Sequence, residues 1–148
     1  MMMNNDYIIP AFHFRVLFRA LKNATGADTS FESVSGIQGA LHHETADAGN
    51  RNEKNSTVVF QPVVLRRPVV LPHHSGLLQW IINCLNKPVY DPLPEVLVEV
   101  LNEEHQPVIT ISLKEVSVRS WSLGELHAQK SGLLMEEILL DYKAIEIN

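Results

Sequence analysis

"PEVLVEVLNEEHQPVITISLKEV", residues 94–116, holds two runs rich in β-branched residues on either side of the polar group Glu103-Glu104-His105-Gln106. Folding the chain at that group makes Asn102 face Pro107. Val100 then faces Ile109, Val98 faces Ile111 and Val96 faces Leu113. On the other face Glu99 meets Thr110, Leu97 meets Ser112 and Glu95 meets Lys114. One register thus collects the apolar partners on one side and sets an opposite-charge pair on the other, and a slip of one residue would reverse every side chain. The stretch predicts an antiparallel hairpin and a β-rich fold around it.

Upstream, "AFHFRVLF" (residues 11–18) alternates Phe12, Phe14, Val16 and Phe18 with His13 and Arg15, the period of two of a half-buried strand. "LKNATGADTS" (21–30) carries turn chemistry and is expected to be a loop. In "FESVSGIQ" (31–38) a short strand breaks at Gly36. Residues 42–56, "HHETADAGNRNEKNS", contain no large apolar side chain and cannot supply a core. Taken alone they read as a loop, with a hairpin ordered only against neighbours as the alternative.

"TVVFQPVVLRRPVVL" (57–71) is β-branched but interrupted by Pro62 and Pro68, which predicts an edge strand or two short strands bent at the prolines. "HSGLLQWIINCLNK" (74–87) spaces Leu77, Leu78, Ile81, Ile82, Cys84 and Leu85 by three and four residues, with Ser75 as N-cap and Pro88 as the stop. This is the one clear helix. In the tail, "SGLLMEEILLDYKAIEIN" (131–148) fits either a strand with Leu134, Ile138, Leu140, Tyr142 and Ala144 inward or a helix striped by Leu134, Ile138, Tyr142 and Ile145. The elements together predict one domain over residues 1–148, of mainly β (α+β) class, a sandwich or barrel with one packed helix.

Bulk composition narrows the function. The 148 residues are 45% hydrophobic and 20% charged, ordinary globular usage. The net charge of −5 argues against a duplex-binding face, which needs clustered Lys and Arg; Arg66-Arg67 is the one adjacent basic pair. The single Cys84 cannot form an internal disulfide, and it reads as a buried, inert thiol. The start "MMMNNDYIIPAF" lacks a basic n-region, so cytosolic synthesis is expected. Its longest apolar run, "GLLQWIINCL", is shorter than the roughly 20 residues a membrane helix needs.

Catalytic patterns do not emerge. His42-His43 and His73-His74 are adjacent pairs, expected to point apart on strands, without a Cys or carboxylate at ligand spacing. His13, His105 and His127 read as surface or turn residues. There is no G-x-S-x-G, H-E-x-x-H or P-loop. Glu95, Glu99, Glu103 and Glu104 lie along the hairpin and its turn as a solvated face, and Trp80 and Trp121 read as core or interface anchors. No enzyme activity, cofactor or metal is expected.

The order of the pieces carries more than any one of them. The chain resembles the tube proteins of contractile phage tails and of related extracellular injection systems. The likeness runs through Phe12-His13-Phe14-Arg15-Val16, the Val34-Ser35-Gly36 turn and Leu65-Arg66-Arg67-Pro68. It continues through Leu77-Leu78-Gln79-Trp80, Leu101-Asn102-Glu103-Glu104-His105-Gln106-Pro107-Val108, and the pattern from Ala128 to Glu137-Ile138-Leu139-Leu140-Asp141-Tyr142. The resemblance implies a strand for the tail. It also implies hexameric rings stacked into a hollow tube, with sheet edges paired between neighbours, and sheath, baseplate and spike proteins as partners. A cargo effector or DNA would occupy the lumen, and the protein would not insert into membranes itself. Assembly is expected in the bacterial cytoplasm, as part of a phage tail or an injection particle.

The same resemblance makes residues 42–56 a hairpin lining the channel, with Glu44, Asp47, Arg51, Glu53 and Lys54 facing the lumen or the next ring, and Trp80 an anchor of core or interface. Departures from the family pattern are the missing "Y-R-E-G" and "P-G" signals in 42–56, Pro68 in place of a glycine, and a long 21–30 loop. They keep open a tube initiator on the baseplate, used once per particle. A monomeric β-barrel that binds a small ligand is the competing class.

Overall fold

A computed structural model describes residues 8–48 and 51–148, with the side chains of 45–54 left aside. The chain is mainly β. In order it forms β1 (Phe14–Phe18), a 3-10 turn (Gly26–Asp28), β2 (Ser33–Ser35), β3 (Gln38–Ala48), β4 (Arg51–Gln61) and β5 (Val63–Pro68). A second 3-10 turn (Pro72–His74) leads into α1 (Gly76–Asn86), followed by β6 (Leu93–Leu101), β7 (Pro107–Leu123), β8 (Met135–Asp141) and β9 (Ala144–Ile147). Seven strands join in one sheet of order β1-β6-β7-β8-β5-β2, with β9 beside β7, while β3 and β4 form a separate two-stranded sheet.

The β6–β7 hairpin sets the frame. Its six cross-strand pairs from Glu95–Lys114 to Val100–Ile109 fall in the expected register. The turn differs: Leu101, not Asn102, faces Pro107, through a bulge after Val100. Asn102 is drawn into the turn because its Oδ1 accepts the backbone N–H groups of Glu104 and Gln106, each at 2.9 Å. β7 then runs on for 17 residues. Its first half pairs with β6 and β9, and its second half pairs with β8.

Between these two halves lies one core cluster. It joins Val16, Val96 and Leu113 from one half with Leu65, Ile138 and Leu140 from the other, and Leu77 and Ile81 of α1 cover it. Among the described strands no hydrogen bonding closes the sandwich into a barrel, since β1 and β2 end the strand order. α1 begins where Ser75 Oγ accepts the Leu78 N–H at 3.0 Å and ends before Pro88.

Several expectations change. Phe12 lies outside β1 and is exposed, so only Phe14, Val16 and Phe18 of the alternating set belong to the strand. Residues 42–56 form a hairpin, against their reading in isolation as a loop: β3 and β4 pair without a slip from Gln38–Gln61 to Ala48–Arg51. The backbone ladder satisfies the polar chain, and apolar Leu41, Val58 and Val59 root it. Of the two readings of 57–71, the edge strand fails, since β5 is interior, flanked by β2 and β8, while the division into two strands holds at Pro62, between β4 and β5; Pro68 takes the last position of β5 and does not break the ladder.

The tail is a strand, with Ile138, Leu140 and Tyr142 buried. Leu134 is half-buried and Ala144 exposed, because β8 stops at Asp141 and β9 begins at Ala144. Glu136 shares the inward parity of Ile138 and is also buried. His73 and His74 occupy a 3-10 turn with ring centroids 4.3 Å apart and planes tilted by 43°, so their side chains meet instead of diverging across a strand. Cys84 is half-buried.

Candidate assembly site

Among the described elements, the β3–β4 hairpin is the one without a larger sheet to join. Neither of its edges pairs with another described strand. A lone two-stranded hairpin is marginal in water, yet this one also exposes Leu41, Val58 and Val59. Glu44 stands exposed on β3, with His42 Nε2 at 3.6 Å from its carboxylate. Asp47 pairs through the backbone with Asn52, Arg51 with Ala48, Glu53 with Ala46 and Lys54 with Thr45. The side chains of Asp47, Arg51, Glu53 and Lys54 lie outside the described residues.

The root of the hairpin is tied to the core. Phe60 stacks on Tyr142 with centroids 5.1 Å apart, and the Tyr142 hydroxyl accepts the Gln38 N–H at 3.3 Å. Gly36 makes the preceding turn at φ +81°, where a Cβ would stand 2.7 Å from the Pro62 carbonyl. The V-S-G signal therefore has a physical content: only glycine lets β2 swing past Pro62 into β3.

A buried polar cluster elsewhere in the domain holds four distant segments. Arg67 on β5 reaches Asp28 Oδ1 at 3.0 Å, Glu136 Oε1 on β8 at 3.3 Å, Ser75 Oγ at 2.7 Å and the Ala27 carbonyl at 2.9 Å. Ser75 Oγ donates to Asp28 Oδ1 at 2.6 Å, and Asp28 Oδ2 accepts the Gly76 and Thr25 N–H groups at 2.9 and 3.1 Å. Asp28 thus closes the amino end of α1, where a carboxylate is favoured. Burial pushes its carboxyl upward, but Ser75, Arg67 and the Thr25 N–H outweigh it and hold Asp28 below its usual value. For Glu136 the balance is opposite: burial raises it beyond what Arg67 can offset. Glu136 Oε2 and Trp121 Nε1 are the two buried side-chain polar atoms without a hydrogen bond of ordinary geometry among the described residues. They belong to the neighbouring strands β7 and β8, and the indole N–H still favours the carboxylate form. A Cβ on Gly76 would lie 2.3 Å from the Lys22 carbonyl, so loop 21–30 is clamped against the helix start.

This cluster was not expected from the sequence, although its signal was there: Glu136 is two residues from Ile138 on one face of a strand. Its bonds run from one segment to another, so the cluster is a clip between elements. The hairpin face holds a second set of charges. Lys114, Ser112 and Arg19 hold Glu95 down to about 2. Trp80 is buried and donates its Nε1–H to the Asp91 carbonyl at 3.0 Å. Burial, with Asp91 nearby, pushes the Cys84 thiol up. Among the described residues no group of three His, Cys, Asp or Glu is placed to hold a metal. No described helix is long and apolar enough to cross a membrane.

The family described as T4-like virus tail tube protein gp19 matches residues 10–146. Among solved structures, a chain of the anti-feeding prophage (AFP) baseplate superposes with a TM-score of 0.74 at 23% identity, covering 95% of each chain. A chain of the PVC extracellular contractile injection system, in its extended sheath-tube complex, gives 0.69 at 18% identity over 97% of this chain and 93% of that one. Hcp1 from Flavobacterium johnsoniae gives 0.54 at 11% over 92% and 94%. No curated protein matches the sequence.

Proposed function

We propose, for a chain that belongs to the T4-like virus tail tube protein gp19 family, that it assembles into hexameric rings which stack into the inner tube of a contractile tail or injection particle. The observation that carries this is the β3–β4 hairpin, 11 residues in each strand, with neither edge paired to another described strand and apolar side chains exposed at its base. Pairing with the hairpins of neighbouring copies would close those edges. Glu44, Asp47, Arg51, Glu53 and Lys54 would then face the channel or the adjoining ring, and Trp80 would brace the helix beneath.

The role is mechanical, without catalysis. Family membership supports it, as does a polar cluster that is spent on holding elements together. Sheath and baseplate proteins are the expected partners on the outside, because the similar chains come from a baseplate and a sheath-tube complex. An effector or DNA is the expected passenger, and assembly would take place in the bacterial cytoplasm. The purified chain, viewed by negative stain, should form rings of six subunits and tubes of stacked rings. A chain that stays monomeric at high concentration refutes the reading. Single rings that never stack would favour the tube initiator.

A further inference from the structure

We propose that His13 and His105 form a two-imidazole site for a divalent transition-metal ion of right-angle coordination, Cu²⁺ foremost, and that the ion staples the start of β1 to the β6–β7 turn. The site is independent of the tube reading above. His13 Nε2 and His105 Nδ1 lie 2.7 Å apart, and their rings meet edge to face with centroids 4.7 Å apart and planes at 74°. The two residues are 92 positions apart in the chain, so the contact is a product of the fold.

Backbone bonds hold both histidines in place before any ion arrives. Pairing of β1 with β6 sets Phe14 opposite Val100, and the Leu101 N–H donates to the His13 carbonyl at 2.8 Å. His13 thus sits at the same end of the sheet as the turn that follows Leu101. In that turn the His105 N–H donates to the Asn102 carbonyl at 3.0 Å, and the Asn102 N–H donates to the Gln106 carbonyl at 2.9 Å. His105 has φ +62°, a left-handed position that Gly or Asn would fill at less cost. The turn carries an imidazole where its backbone does not call for one.

In the free chain one proton lies between the two nitrogens, with one ring donating and the other accepting. An ion can take the place of that proton, which leaves to water, and both rings then offer a lone pair. Ring nitrogens bind such ions at about 2.0–2.1 Å, so two of them stand roughly 2.9 Å apart at a right angle and roughly 3.4 Å apart at the tetrahedral angle. The observed 2.7 Å needs an opening of only about 0.2 Å for the first. Cu²⁺ and Ni²⁺, which take square-planar or tetragonal geometry, therefore fit with less displacement than tetrahedral Zn²⁺, and Cu²⁺ stands highest in the general order of affinity. The contact is exposed and no third His, Cys, Asp or Glu among the described residues is placed to join it, so water completes the coordination. Elsewhere ring nitrogens are already engaged: His43 Nδ1 lies 2.6 Å from the Ser56 hydroxyl, and His127 Nδ1 accepts the Gln129 N–H at 3.1 Å. Because β1 ends the strand order, a staple at its start holds the strand that has only one paired edge.

The test uses the full chain, stripped of metal and then given Cu²⁺ with glycine as a weak competing chelator, at a protomer concentration too low for assembly. Calorimetry should show one tight site per chain, and electron spin-echo modulation should show two bound imidazoles. Cu²⁺ at a hundredfold excess over its dissociation constant should raise the melting midpoint by roughly 5–10 °C. His105→Asn, which suits the backbone of the turn, and separately His13→Gln should each keep a cooperative melt without metal, weaken the site by more than about tenfold and lose the copper shift; even outer-shell partners of a ligand are worth about 10–100-fold. His42→Ala, His43→Ala, His73→Ala, His74→Ala and His127→Ala combined should leave the site in place. Fewer than two imidazoles on the unaltered chain overturns the proposal without any variant. So does copper binding that His105→Asn leaves intact, or that the five-histidine variant loses. An unmoved melting midpoint with copper bound would overturn the staple, and an equal shift from Zn²⁺ would overturn the right-angle geometry.

Discussion

Replacing Arg67 with Met tests the buried clip most directly. The guanidinium makes hydrogen bonds to Asp28, Glu136, Ser75 and the Ala27 carbonyl. The side chains of Asp28 and Glu136 are 2% and 0% exposed, so neither can turn to water once the cation is gone. Removing one member of such a buried set costs about 3–5 kcal/mol, mostly because charge is left uncompensated. Near 150 residues, each kcal/mol moves a melting midpoint by roughly 2–4 °C, so the expected drop is about 6–20 °C. Arg67→Met with Glu136→Leu should recover at least about 1 kcal/mol of this, since Asp28 keeps its bonds to the Gly76 and Thr25 amides. Denaturant unfolding by circular dichroism, at one fixed protomer concentration too low for assembly, measures both. A loss below about 1 kcal/mol for Arg67→Met would show that the cluster does not hold the elements together. So would a double variant as weak as the sum of the two single changes.

Other expected outcomes concern separate parts of the molecule. Trp80→Ala should cost about 3–5 kcal/mol in the same unfolding assay, through the cavity left beneath α1. Gly36→Ala should destabilise by roughly 1–3 kcal/mol, from strain at positive φ and the approach to Pro62. Glu95 has a folded value near 2 against an ordinary 4.5, so its contribution is present above about 4.5 and fades as the pH falls toward 2. Glu95→Gln should therefore flatten the acid side of the melting-temperature profile, and an unchanged profile would count against the Lys114 and Ser112 contacts. Replacing residues 42–56 with a Gly-Ser linker should leave a cooperative melt and abolish rings in light scattering.

What the sequence discloses depends on whether a local pattern is enough to fix the answer. The β6–β7 register was legible because period-two alternation and the Glu95–Lys114 pair agree on one alignment. α1 was legible because its spacing and Ser75 cap lie within one segment. The β3–β4 hairpin was hidden from composition, since its strands are held by backbone pairing and not by an apolar face; only the order of motifs pointed to it. The interior position of β5 was hidden for a related reason. Its two prolines read as marks of an edge or of a break between two strands; Pro62 is such a break, and Pro68 sits at the last position of β5, so neither makes β5 an edge.

The buried clip lay furthest from view. Asp28 sits in a segment that reads as an ordinary loop, and Arg67 in a basic pair that reads as surface. Glu136 interrupts an apolar strand. Each is explained only by the other two: the pairing of β5 with β8 sets Arg67 opposite Glu136, and Asp28 meets Arg67 from the 3-10 turn.

The position of β8 has a consequence for the order of events during synthesis. In the sheet it lies between β7 and β5, but in the chain it is made after both. Until residues 135–141 leave the ribosome, the β5–β2 half has no partner through which to join the β6–β7 frame, and Arg67 lacks Glu136. Translation at about 5–20 residues per second delivers the other strands first. The subunit is therefore held back from maturity until its last strands are made. A nascent chain cannot offer a finished hairpin root, because Tyr142, which stacks on Phe60, arrives with that same late segment. Late placement of a central strand thus makes the root of the hairpin one of the last contacts the chain can complete.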